Sequence, residues 1–405
     1  MKTLRQTFTL LFALISFTGL LAQTAEERKF TETVDSLNKQ LSIQHDARNY
    51  QACETLTRSI IELYQTHADQ LSEGYSYFKY AGYYNLACVQ AKLGKKKEAV
   101  ASLMEALEDG KLEISYKQVT NDPDLESIIH ADELKPLLNK LREKTDYLYI
   151  LKKAPEYASS QEADTLPGIT YAKADDPDLV RVRQYFRLDS LATAGDELAT
   201  IKNILTYIHN RIRHDGQYGN PAGGANAINY AEACKDGSRG LNCRGLATVL
   251  NECYLSLGIP SRVITCMPQV YINDCHVINA VYSSTLGKWL WIDPTNNAWV
   301  TDDKGNMLSI QEVRERLRTG QPVKVNEEAN WNNKRKTETE DYLYNYMAKN
   351  LFFLDSWTRY GFNTESDKEH PVKYIFLQPK GCESNLRTPQ DLSVNDDKYF
   401  WQAPQ

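Results

Sequence analysis

The 405-residue sequence holds no block of basic residues, no Cys-x-x-Cys or His-x-x-x-His pair and no loop able to cradle a phosphate. Each absence removes a class of function. Formal net charge is -6 with both signs interspersed, which argues against a nucleic-acid partner and gives no electrostatic reason to expect binding to anionic lipid. The run "PAGGANA" lacks the lysine and the spacing of a nucleotide cradle, so no organic cofactor is expected. No loop of clustered acids supports calcium. Cys266, Cys275 and His276 lie close in sequence, but without a paired ligand motif they carry no expectation of zinc or another metal, and a strand would turn Cys275 away from His276. The eight cysteines show no framework spacing; Cys53 and Cys88 fall in helical segments, and mostly free, buried thiols are expected.

The N-terminus has its own character. Lys2 and Arg5 precede an apolar stretch from Phe8 to Leu21, followed by "LAQTAEE". This is the pattern of a secretory signal peptide over residues 1–22. The stretch is shorter than the ~20 residues of a spanning helix, and Ala22 offers a cleavage point, although Leu20 is not the small residue favoured upstream. The expectation is an exported protein, periplasmic or secreted, without stable membrane insertion after cleavage; a retained anchor is the alternative.

What remains is long enough for two or three domains. The reading is α+β. Residues 30–150 are helical in pattern, clearest in "YYNLACVQAKLGKKKEAVASLMEALEDG". There Ala87, Ala99 and Ala106 would let two antiparallel helices approach, with Gly94 opening the turn, and the segment resembles a tetratricopeptide repeat within a degenerate array. Such helices imply either a protein partner or simple packing. Further on, Asp122 before Pro123 reads as a helix cap. Residues 151–178 are rich in turn and polar residues and read as a linker. Residues 179–325 form a mixed core: a helix in "ELATIKNILTYIHNRIRHD", a Gly-rich loop in "GQYGNPAGGANAINYAEACKDGSRG", then a second helix and strands in "SRVITCMP", "CHVINAVY" and "KWLWID". Residues 326–405 are aromatic-rich, mix strand and turn signals, and read as a β-rich extension of the core.

Within the core, "GLNCRGLATVLNECYLSLGIP" places Leu246, Val249, Leu250, Cys253, Tyr254 and Leu257 on one apolar helix face, with Gly258 and Pro260 as the stop. Cys243 therefore sits at the helix start, where unpaired N–H groups and the positive end of the helix dipole favour a thiolate. Downstream, two strands flank the polar turn Ser283 to Gly287. Pairing Tyr282 with Gly287 without a bulge puts Ala280 opposite Trp289, Ile278 opposite Trp291 and His276 opposite Asp293, on one face with Cβ atoms within about 5.5 Å. A carboxylate beside a histidine fixes its tautomer and favours its charged form, and an imidazolium beside Cys243 favours the thiolate.

The order of a helix-start cysteine, "GIPSR", "HVINAVY" and "WLWIDPT" over about Leu191 to Asn297 resembles the transglutaminase-like branch of the papain-like cysteine enzymes. The resemblance implies a papain-like core, with Cys243 as nucleophile, His276 as general base and acid, and Asp293 as orienting carboxylate. Val277 and Asn279 stand near positions where the family commonly has an aromatic and an acidic residue, which bears on substrate preference. The implied reaction is thiolate attack on a peptide or protein amide, completed by water in a protease-like hydrolase or by a lysine amine in a crosslinking γ-glutamyltransferase. No feature points to de-N-glycosylation. A noncatalytic scaffold that captures a partner through its helices is the alternative of another class. Acyl transfer also needs an oxyanion hole: the Cys243 N–H is one expected donor, and Gln217 and Asn226 in the upstream loop are the two candidates for a second.

Overall fold

The computed structural model describes residues 23–158, 166–270, 274–385, 388 and 390–405, so the expected signal peptide lies outside the described residues. Among those described, no helix is long and apolar enough to cross a membrane. The chain divides into two compact units, Met1–Asp146 and Tyr147–Gln405.

The first unit is helical: α1 (Ala25–Asp46), α2 (Tyr50–His67), α3 (Tyr77–Lys92), α4 (Lys96–Leu107), α5 (Tyr116–Thr120) and α6 (Lys135–Thr145). Thr24 starts α1 with a capping box, its Oγ1 accepting from Glu27 N–H while its own N–H donates to Glu27 Oε2. Asn49 caps α2 through Ala52 N–H. The small residues singled out in the sequence lie where α3 meets α4: Ala87, Ala99, Leu103 and Ala106 are wholly buried in one cluster. Gly94 makes the turn between these helices at φ +75°, a left-handed conformation that glycine adopts without steric cost. One expectation fails here. Residues 122–130 form a series of turns, and Asp122 accepts from Asp124 N–H two residues on rather than capping a helix; the helix begins only at Lys135. A carboxylate satisfied by its own turn competes with the cap.

The second unit opens with α7 (Tyr147–Lys153), α8 (Pro177–Phe186), α9 (Glu197–Arg211), α10 (Ala227–Cys234) and α11 (Cys243–Leu255). Residues 151–178, expected as a linker, contain the end of α7 and the start of α8, a two-residue strand Thr170–Tyr171, and the buried Leu151 and Ile169. The Gly-rich stretch expected as loop contains α10: Asn226 caps it through Asn229 N–H, and Ala227, Tyr230, Ala231 and Cys234 bury one helical face. Its few apolar side chains are small or aromatic, and the surrounding glycines mask the period.

The sheet strands are β1 (Ser261–Met267), β2 (His276–Ser283), β3 (Lys288–Asp293), β4 (Ala298–Thr301), β5 (Lys324–Val325), β6 (Phe353–Trp357), β7 (Tyr374–Leu377) and β8 (Leu392–Val394), in spatial order β8-β7-β6-β1-β2-β3-β4-β5. Within this sheet only the β7–β8 pair is parallel. Three strands of the C-terminal extension thus continue the core's own sheet. With α12 (Ile310–Thr319) the unit is a mixed α+β fold, as expected.

The β2–β3 register differs from the expected one. Ser283 pairs with Lys288, Tyr282 with Trp289, Ala280 with Trp291 and Asn279 with Ile292, so the register is displaced by two residues. The cause lies in the turn. Gly287 takes φ +64° as its last residue, and the Glu197 carboxylate at the start of α9 binds Ser283 Oγ, Ser284 N–H and Oγ, and Thr285 N–H. His276 and Asp293 are therefore diagonal rather than opposite. Because the displacement is an even number of residues, the two still share a face.

Candidate active site

The sheet's two faces carry different parts of the site. On one, Val281, Leu290 and Ile292 pack with Leu246, Val249 and Leu250 of α11, and Asn279 Nδ2 donates to Ala247 O of the same helix. On the other, Ile278, Ala280, Trp289 and Trp291 pack with the residues of the C-terminal extension. His276 opens β2 and Asp293 closes β3 on this second face. The site assembles at the sheet's end, where α11 also begins.

Asn242 starts α11, its Oδ1 accepting from Gly245 N–H at 2.9 Å. Cys243 is then the first helical residue, half-buried, and its N–H has no acceptor within the helix. Asp293 is wholly buried and saturated with donors. Its Oδ2 meets His276 Nε2 at 2.8 Å, the Tyr342 hydroxyl at 2.6 Å and Asn296 Nδ2 at 2.9 Å; its Oδ1 accepts from Thr295 N–H at 2.8 Å. Burial alone would raise this carboxyl, but the His276 charge and the hydrogen bonds from His276, Tyr342 and Asn296 hold it down at about 2.

Since His276 Nε2 faces Asp293, Nδ1 is left for Cys243. Burial opposes charge on His276 as well, yet the Asp293 carboxylate and the Cys243 sulfur outweigh it and lift the imidazole to about 10. At Cys243, burial pushes the thiol up, whereas hydrogen bonds with His214 and His276, the His276 charge and the Val277 N–H bring it down to about 6. These shifts favour the thiolate–imidazolium form of the pair, with the proton on His276.

Two tyrosines hold the histidine's surroundings. Residues Glu340–Met347 form a π-helical segment, a form often found at functional sites. It presents Tyr342 to Asp293, and it sets the Tyr346 ring edge-on to His276 with centroids 5.5 Å apart. Tyr346 also donates to Cys275 O, just before β2. The extension was expected to mix strand and turn, and neither pattern signals Tyr342.

All three residues singled out in the sequence, Cys243, His276 and Asp293, meet here. The site opens into a cleft of about 990 Å³ whose wall includes Cys243, His276, His214, Asn242, Trp331 and Tyr346. Gln217 and Asn226 do not line it. Asn226 is occupied as the cap of α10, and Gln217 is exposed, its N–H donating to Asp215. His214 takes the place beside the sulfur that the sequence left open. Cys275, just before the strand, packs with Met267, Phe352 and Phe353 and also lines the cleft beside Cys243 and His276. Among the described residues the convergent metal-ligand group is Cys88, Asp122 and Asp124 in the first unit, where Tyr84 already donates to Asp122 and Lys92 pairs with Asp124. All eight cysteines are free, five of them buried.

No curated protein matches the chain. Among solved structures, one of a Cytophaga hutchinsonii protein described as a proposed cysteine protease is similar at 15% identity and a TM-score of 0.23, over 42% of this chain and 57% of that one. The chain thus spans little more than half the length of that protein. A family model, the transglutaminase-like superfamily core, matches residues 187–294, a span that includes Cys243, His276 and Asp293. Residues 187–294 are a transglutaminase-like domain.

Proposed function

We propose that this protein is an exported cysteine enzyme that hydrolyses amide bonds in peptides or proteins through a thioester on Cys243. The observation that carries the reading is the buried Asp293–His276 pair, with Asp293 fixed by four donors and the second imidazole nitrogen turned to a thiol held at about 6. A purely structural strand end would have no reason to bury a carboxylate, a charged imidazole and a thiolate together, since each costs desolvation energy.

In the first half-reaction the Cys243 sulfur pair forms a bond to the amide carbon, and the carbonyl π pair moves onto oxygen. The tetrahedral species collapses, the C–N bond breaks, and the leaving nitrogen takes the proton from His276 Nδ1. Water then gives His276 Nδ1 a proton while its oxygen attacks the thioester. The C–S bond breaks, releasing the acid and regenerating the ion pair. Asp293 holds the ring's orientation and its charge throughout.

Export rests on Lys2, Arg5 and the apolar stretch Phe8–Leu21, and capture of a protein partner by the α3–α4 pair rests on its tetratricopeptide-like residues. The test of the reaction is incubation of purified protein with casein in H₂¹⁸O, with and without dansylcadaverine. Peptides with ¹⁸O in their new carboxyl groups, absent with Cys243→Ala, are expected. Dansylcadaverine incorporation without cleavage would replace hydrolysis by transfer. Identical behaviour of Cys243→Ala and wild type would end the enzymatic reading in favour of a scaffold.

A further inference from the structure

His214 stands just after α9 and is built into the site from three sides. Its backbone bridges to the segment leading into Cys243, with Asp215 N–H donating to Leu241 O at 2.7 Å and Leu241 N–H to Arg213 O at 3.1 Å. Asn332 clasps it in both directions, accepting from His214 N–H at 2.7 Å and donating to His214 O at 2.9 Å. The Trp331 indole Nε1–H lies 3.1 Å from His214 Nδ1.

That last contact decides the ring's chemistry. An indole nitrogen can only donate, so Nδ1 must be the accepting nitrogen and the ring proton must sit on Nε2. The nitrogen left for the Cys243 sulfur therefore carries a hydrogen, and His214 is a donor in contact with that sulfur. It cannot be a second general base toward Cys243 while this bond holds. No carboxylate bonds its ring among the contacts of the described residues. Trp331 is itself anchored: the short strand Asn330–Trp331 pairs with Arg335–Lys336, Asn330 N–H donates to Asn296 O at 2.8 Å, and the Asn330 side chain meets His209 at 3.0 Å. His209 in turn meets Pro294 O, beside Asp293, at 2.9 Å.

We infer that His214 is the side-chain donor of the oxyanion hole, its Nε2–H and the Cys243 backbone N–H together holding the carbonyl oxygen as the thiolate adds. This rests on Cys243 being the nucleophile. In the resting enzyme the same N–H solvates the thiolate. As the S–C bond forms, the sulfur gives up its negative charge and the carbonyl oxygen acquires it, so the donor turns to the oxygen. When the tetrahedral species collapses, the pair returns to the C=O bond and the leaving group departs. His214 neither gains nor loses a proton at any step. Trp331 is a positioning residue, acting only through the tautomer of His214.

The experiment compares two reactions of Cys243 that differ in the need for an oxyanion. Acetylation by p-nitrophenyl acetate passes through a tetrahedral oxyanion, whereas alkylation by iodoacetamide displaces iodide at a saturated carbon and does not. Rates are taken on the high-pH plateau, where the sulfur is fully ionised in every variant. In His214→Ala, acetylation is expected to fall by ~10²–10³, the cost of one lost oxyanion donor, with alkylation unchanged within about twofold. In His214→Gln, whose amide can still donate, much of the acetylation rate should return, and Trp331→Phe should lose only part of it. Equal losses in both reactions, or an acetylation rate in His214→Ala equal to wild type, would overturn the inference and leave Cys243 as nucleophile. Failure of wild-type Cys243 to be acetylated, judged by mass, would overturn the nucleophile and this inference together.

Discussion

The Tyr342 hydroxyl donates to Asp293 Oδ2 at 2.6 Å, the same oxygen that faces His276 Nε2 at 2.8 Å. Tyr342 and Asp293 are 49 residues apart, joined by the packing of the extension against the sheet. The hydroxyl limits the positions from which Asp293 can hold the histidine, and its indole neighbour Trp291 donates to it at 3.3 Å.

Removing the hydroxyl should therefore damage turnover through Asp293 alone. Tyr342→Phe is expected to lower kcat by about 10- to 100-fold through misorientation of His276. Asp293→Asn, which disturbs the tautomer itself, should cost up to about 10⁴. The double variant should be no slower than Asp293→Asn, because the tyrosine has nothing left to act on. Multiplied losses in the steady-state rates would show that Tyr342 works by another route.

Glu252 on α11 joins three segments. It is buried, and its two carboxylate oxygens accept from Ala227 N–H and Asn363 N–H, each at 2.8 Å, so it ties the start of α10 and the turn at Asn363 to the nucleophile's helix. Glu252→Gln would set an amide NH₂ against one of those N–H donors. A loss of about 1–3 kcal/mol is expected in urea unfolding, the range for a buried donor left unpaired. An unchanged midpoint with unchanged slope would show that the clamp contributes nothing.

Arg262 clamps the C-terminal segment. Its side chain is wholly buried, donates to Phe400 O, to Gln402 O at 3.0 Å and to the Tyr171 hydroxyl, and lies 4.2 Å from the Trp289 ring centroid. Arg262→Ala strips donors from two carbonyls, at about 1–3 kcal/mol each, and removes the stacked guanidinium. The expected result is a loss of at least about 2 kcal/mol. The tail should also be trimmed faster by a carboxypeptidase; trimming at the wild-type rate would count against the clamp.

The order of Cys243, His276 and Asp293 was legible because each rests on a local pattern: a helix start, a strand start, and a strand end before proline. Even the incorrect register preserved the answer, since a displacement of two residues leaves side-chain parity intact. The error itself was not correctable from the hairpin. It is set by Glu197, about ninety residues upstream, which binds the turn. His214, Tyr342 and Trp331 escaped for the same reason. A histidine after a helix and aromatics in a tail acquire meaning only from nonlocal pairings such as His214 with Leu241, which leave no periodic trace. Asn226 and Gln217 share the upstream loop in sequence, but the first is consumed as a helix cap.

The ion pair fixes the pH response. With the sulfur at about 6 and the imidazole at about 10, values that belong to the pair jointly, the thiolate–imidazolium form dominates between them. Below pH of about 6 the sulfur gains a proton, and iodoacetamide labelling of Cys243 should fall tenfold per unit. Above about 10 the imidazolium loses its proton; labelling should continue, because the thiolate persists, but amide turnover should fall, because the leaving nitrogen has no acid. Turnover is thus expected to trace a bell and labelling a single rise. In His276→Ala the charge and one hydrogen bond to the sulfur are gone while burial still opposes the thiolate, so the labelling midpoint should move upward from about 6. Mass-spectrometric labelling rates from pH 5 to 10 measure both midpoints. A wild-type midpoint near 9.0, unmoved by His276→Ala, would mean that the imidazole does not ionise the sulfur, and the thioester mechanism would lose its nucleophile.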